Sequence, residues 1–238
     1  TMRTGALLEN EMRPSGPPTD QTLRIPVAIL LLLGTLIVTI GLGASWPRGE
    51  VRPLAGVDAA FTEIEELPQN SNVLVLWGYD PATAGEMDLV VQPILQHLID
   101  KESQIAAVST LPMGPATLRK LWFQMTAQYT SINRAGLIDL GYLPGGPSGM
   151  PLLAYTDVLG ILRYGVREFG ADANLEDFWT APPALMIVVA SDAQELQLWL
   201  EQVQPLNGIR TIGVTAAAVD PVARPYVQSG QLTGLVSG

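Results

Sequence analysis

The sequence predicts a three-layer α/β sandwich, its sheet mainly parallel and five- or six-stranded, preceded by one transmembrane helix. Two observations predict it. From residue 72 on, short and nearly continuous apolar runs alternate with longer amphipathic segments; NVLVLWG (72–78) and ALMIVVA (184–190) are the clearest runs. Such a run suits a strand buried on both faces, as in a parallel sheet. The second observation is the stretch 25–45, IPVAILLLLGTLIVTIGLGAS, which lies in a charge-free interval between Arg24 and Arg48. At about 1.5 Å per residue, roughly 20 apolar residues match the ~30 Å hydrocarbon thickness of a bilayer.

The elements follow in order. Residues 1–24 are rich in Pro, Gly, Thr and charge, have little to bury, and read as a disordered tail. Residues 25–45 are the anchor: Pro26 suits a first helical turn, Trp46 suits the interface, and Pro47 ends the helix. Residues 46–71 form a membrane-proximal connector with a short amphipathic helix over 56–67, whose apolar face carries Val57, Ala60, Phe61 and Ile64. The α/β domain is 72–238.

Within the domain, strand 72–78 leads into a loop at 79–88 and a helix at 89–102, which Pro93 either kinks or begins. Strand 104–110, helix 116–132 and strand 137–143 come next. A glycine- and proline-rich loop, 144–151, precedes a helix at 155–169 and an irregular stretch at 170–183. Strand 184–190 is followed by Ser191 as N-cap and a helix over 192–203, with Leu196, Trp199, Leu200 and Val203 inward. Strand 210–215, a helix at 221–229 capped by Asp220, and strand 232–237 complete the chain. Strand–helix–strand units of this spacing imply right-handed crossovers and helices on both faces. At the level of architecture the domain resembles the flavodoxin-like and Rossmann-like folds.

Charge and composition exclude several functions. The net charge is −10, and the tail before the anchor balances three arginines against three acids, so the excess lies beyond the anchor. An acidic domain repels phosphate backbones and anionic headgroups, so no nucleic-acid partner is expected. There is no cysteine and one histidine, His97, which removes thiolate chemistry, Cys-ligated metals and His-rich metal sites. No cofactor is implied: G-x-G-x-x-G and GK[ST] are both absent.

In open α/β sheets, ligands bind beyond the carboxyl ends of the strands. The loop after the first strand offers Asp80, Thr83, Glu86 and Asp88, a set of oxygens suited to a small ligand or a divalent cation. The competing reading makes Asp80 a turn cap and places Glu86 and Asp88 against a helix N-terminus. Arg224, after the fifth strand, would share this edge; it would pair with Asp80 or Glu86, or hold an anion. His97 reads as a partly buried or solvated residue, and Trp179, in DFWTAPP, as an interface candidate.

These readings favour a single-pass cell-membrane protein. Its extracytoplasmic α/β domain would act as a non-catalytic interaction or accessory subunit of a membrane assembly, docking on protein partners or on itself. The alternative is a small-ligand-binding or hydrolytic domain built around Asp80, Glu86 and Arg224. The orientation rests on three arginines before the anchor against Arg48 and Arg52 after it.

Overall fold

A computed structural model describes residues 19–45, 54–128, 136–145, 167–169 and 183–238. The chain divides into two units, Thr1–Arg52 and Pro53–Gly238.

Among the described residues the first unit contributes one helix, α1 (Thr19–Ser45). It starts six residues earlier than the sequence predicts, inside the segment read as tail; residues 1–18 lie outside the described part. Residues 19–24 extend the helix N-terminally, so Pro26 lies inside α1, at its eighth residue, and not in the first turn that the sequence predicts. Described side chains run from Ile25 to Gly41, and all are exposed. Thr35 donates its hydroxyl to Leu31 O at 3.0 Å, and Thr39 donates to Thr35 O at 2.7 Å. Among the described residues no helix is long and apolar enough to cross a membrane.

The second unit is a Rossmann-like α/β layer structure. Its strands are β1 (Asn72–Gly78), β2 (Gln104–Ser109), β3 (Gly136–Tyr142), β4 (Arg167–Phe169), β5 (Leu185–Ala190), β6 (Thr211–Thr215) and β7 (Gly234–Ser237). The spatial order is β4-β3-β2-β1-β5-β6-β7. Six strands are parallel; β4 pairs antiparallel with β3. Among the described residues the six parallel strands are the six that the sequence predicts, and β4 is an additional antiparallel edge strand. The helix expected over 155–169 is corrected at its end, because residues 167–169 add an edge strand to β3; the remainder lies outside the described residues. The three residues Arg167–Phe169 are too few for a periodicity to distinguish the two states.

The helices are α2 (Val57–Glu65), α3 (Ala84–Asp100), α4 (Gly114–Gln128), α5 (Ala193–Gln202), α6 (Gln204–Asn207) and α7 (Asp220–Gln228), with a 3-10 turn at Ala217–Val219. α3 touches α2 and α4, while α5 touches α7, so the two groups cover opposite faces of the sheet. The central strands β1, β5 and β6 are buried almost throughout, as continuous apolar runs require.

Three boundaries differ from expectation for identifiable reasons. α3 begins at Ala84 and runs through Pro93, so Glu86 and Asp88 sit in its first turns rather than in a loop. The N-cap of α5 is Asp192, not Ser191: its carboxylate accepts Gln194 N–H at 2.7 Å, while Ser191 donates to Gly78 O at 3.3 Å. Asp220 is the first residue of α7 and not its cap, because its carboxylate is engaged by Arg224.

One charged residue enters the core, and a half-buried arginine answers it. Asp139 on β3 is 1% exposed, accepts Gly141 N–H at 2.8 Å, and pairs with Arg119 of α4 at 2.5 Å. Gly141 takes φ +79°, beside a register shift between β2 and β3 at Ala107/Val108. The left-handed backbone there turns its N–H back onto the carboxylate.

Candidate functional site

The chain order of the parallel strands is 3-2-1-5-6-7 across the sheet, with the reversal between β1 and β5. In this architecture a crevice opens beyond the carboxyl ends of the two strands at the reversal. Here those ends are Gly78 and Ala190, held together by Ser191 N–H donating to Gly78 O at 3.0 Å.

The residues that the sequence singled out are distributed along this edge and are bonded within the fold. Asp80 forms an Asx-type turn, accepting Ala82 N–H at 2.9 Å. Thr83 stands at the N-cap of α3 without capping it; its hydroxyl reaches Asp80 O at 3.4 Å. Glu86 accepts the backbone N–H of Ala217 at 2.7 Å, tying α3 to the turn after β6. Asp88 accepts the Tyr79 hydroxyl at 2.7 Å and faces Lys120 Nζ at 3.3 Å. Arg224 forks onto Asp220 at 2.6 and 3.0 Å and donates to Ala55 O, so its ion-pair partner is Asp220 rather than Asp80 or Glu86. The structure thus joins Asp80 to Thr83 within one turn, and gives Glu86, Asp88 and Arg224 separate partners.

Electrostatics follow from these pairings. The Arg224 guanidinium, with help from the Ser237 hydroxyl, holds the Asp220 carboxyl below the usual range. Burial, then the bond to Asp88, pushes the Tyr79 phenol far above its ordinary value, so it stays a neutral donor. Tyr79 is fully buried and packs on Trp77 at 4.7 Å; Trp77 in turn donates its indole N–H to Thr117 at 2.8 Å. A hollow of about 210 Å3 lies beside this cluster, lined by Pro81, Ala84, Ala116, Thr117 and Lys120. Among the described residues no three His, Asp or Glu side chains converge as metal ligands.

One constellation had no signal in the sequence. Glu195, in the first turn of α5, accepts the hydroxyl of buried Thr110 and the indole N–H of Trp199, the latter at 3.1 Å. Gly78 lies against it: a Cβ there would stand 2.7 Å from Glu195 Cγ. Thr110 and Glu195 are 85 positions apart, and nothing in either local pattern links them. The first turns of α3, α5 and α7 therefore each carry a carboxylate, Glu86, Glu195 and Asp220. A helix N-terminus attracts anions, and here three of the chain's own carboxylates occupy that field. A phosphate-bearing ligand would meet like charge at each.

A second feature lies away from this edge. A groove of about 610 Å3 follows the seam of α2 and α3. His97 Nε2 lies 2.9 Å from Glu65 Oε2 across that seam, and Lys101 donates to Glu65 O at 2.6 Å. Those bonds hold the Glu65 carboxyl below its usual range, with the His97 hydrogen bond the largest cause and Lys101 the next. The loop over 144–151 and Trp179 fall largely or wholly outside the described residues.

No protein family, curated protein or solved structure compared with this chain matches it.

Proposed function

We propose that this is a single-pass membrane-anchored protein whose extracytoplasmic α/β domain serves as a non-catalytic docking or accessory subunit of a membrane-associated assembly. The observation that carries the reading is the state of the strand-end edge. Its carboxylates, its arginine and its buried hydroxyls bond to one another and to backbone groups, and its helix N-termini carry acids. That arrangement serves cohesion rather than turnover. The anchor rests on the apolar composition of 25–45 and on the continuous helicity of α1, whose threonine hydroxyls return to carbonyls of their own helix, as a lipid environment demands.

Two measurements test it. Alkaline carbonate washing of vesicles should leave the full chain in the pellet; release into the supernatant removes the anchor. Extraction in mild detergent should return the chain in a complex larger than the monomer, and recovery of monomer alone counts against a docking role.

The alternative reading, a ligand-binding or hydrolytic domain at Asp80, Glu86 and Arg224, draws on the strand-order reversal between β1 and β5. The three helix-terminal carboxylates narrow its ligand to a neutral or cationic one.

A further inference from the structure

The seam between α2 and α3 is open and apolar. Val57 and Phe61 line it from α2, Pro93 and Ile94 from α3, and Val236 from β7. Phe61 is 59% exposed even though its ring stacks on His97 at 4.7 Å. An exposed aromatic over an apolar floor is the kind of anchor that dominates interface energetics.

The rim of this groove is acidic. Asp58 and Glu65 are seven residues apart, so they share one side of α2, next to Phe61. Asp100 closes the end of α3 and accepts the Gln96 amide at 2.8 Å. His97 and Lys101 answer Glu65. Asp58 and Asp100, both exposed, have no cationic partner among the described residues. We propose that this groove docks a basic amphipathic helix of a partner protein, its apolar face on Val57 and Phe61 and its lysines or arginines toward Asp58 and Asp100. The proposal rests on the docking-subunit reading and names its surface and the chemistry of its partner. The helix-in-groove mode fits an apolar seam with charge at the rim. A second copy of this chain would bring the same acidic rim against itself in a two-fold pairing, and anionic headgroups would be repelled by it.

The test uses the full chain in phosphatidylcholine nanodiscs, titrated with a labelled two-heptad helix of leucines and lysines and followed by fluorescence anisotropy. Controls are its leucine–glutamate counterpart and a scrambled leucine–lysine peptide. The amphipathic basic helix should bind about tenfold or more tighter than either control. Phe61→Ser and, separately, Asp58→Lys should each weaken it about tenfold. Phe123→Ser, at an equally exposed aromatic on α4 outside the groove (56%), should leave it unchanged. Equal binding of the scrambled peptide, or indifference to both groove variants in chains with native melting profiles, overturns the proposal. So does Phe61-dependent dimerisation without peptide, or Phe61-dependent binding to anionic vesicles. A complex from mild detergent that survives Phe61→Ser overturns the groove while leaving the docking-subunit reading in place. Monomer alone, combined with no peptide binding, overturns both.

Discussion

At the scale of single residues, close packing along the strand-end edge leaves little room for change. Gly114 opens α4 against Ser109, and a Cβ there would stand 1.9 Å from Ser109 Oγ. That hydroxyl cannot step aside freely, because it donates to Trp77 O at 2.6 Å and accepts Leu111 N–H at 3.0 Å. Gly114→Ala should therefore destabilise the protein by about 1–3 kcal/mol, lowering Tm by several degrees in a thermal melt. Gly85, in the first turn of α3, has no atom within 4 Å of the same position. Gly85→Ala should be neutral or stabilising by up to about 1 kcal/mol, through helix propensity alone. Equal effects of the two substitutions would contradict the packing described. Sequence shows both positions only as glycines near breakers. It did locate Asp80, Thr83, Glu86 and Asp88 in one segment near a strand end. Their partners were not legible, because Ala217 and Lys120 reach them from other elements.

At the scale of elements, α2 is fastened on three sides. Gly56 O accepts Leu235 N–H at 3.1 Å, Arg210 pairs with Glu63 at 2.9 Å, and Glu65 meets His97 and Lys101. Gly234 permits the closest approach, since a Cβ on it would stand 2.5 Å from the Ala60 backbone. The Glu65 carboxyl is held below its ordinary value in the folded state, by His97 first and Lys101 next. Its contribution to stability is thus present above the ordinary carboxylate pKa of about 4.3, and is lost as pH falls through the lower folded value. The Tm difference between wild type and Glu65→Gln should persist at neutral pH and shrink to nothing in strongly acidic buffer. A difference that grew on acidification would contradict the assignment. The amphipathic pattern of α2 was readable in Val57, Ala60, Phe61 and Ile64. Its place over β7 was not, because Ala60 and Gly234 approach across 174 positions.

At the scale of the whole molecule, the second unit carries a core of its own, from Ala60 on α2 to Leu235 on β7. A fragment beginning at Pro53 should fold alone and melt within about 10 °C of the full chain, followed by far-UV circular dichroism in matched detergent. A fragment that fails to fold would show that the first unit supplies part of that core. The alternation of apolar runs and amphipathic segments announced parallel strands covered on both faces. It could not rank them. The order β4-β3-β2-β1-β5-β6-β7, with its reversal beside Gly78, depends on which long-range pairings form.

What the sequence determined by itself were local quantities: the oily stretch of 25–45, the acidic balance beyond it, and the periodicities that set strands and helices. These follow from residue type and spacing along one chain. Tertiary structure alone decided that Arg224 meets Asp220 and Ala55, that Glu195 meets Thr110, and that α2 and α3 leave an apolar seam with an acidic rim. Hydrogen bonds and grooves between distant segments are set by packing, and packing has no period along the sequence.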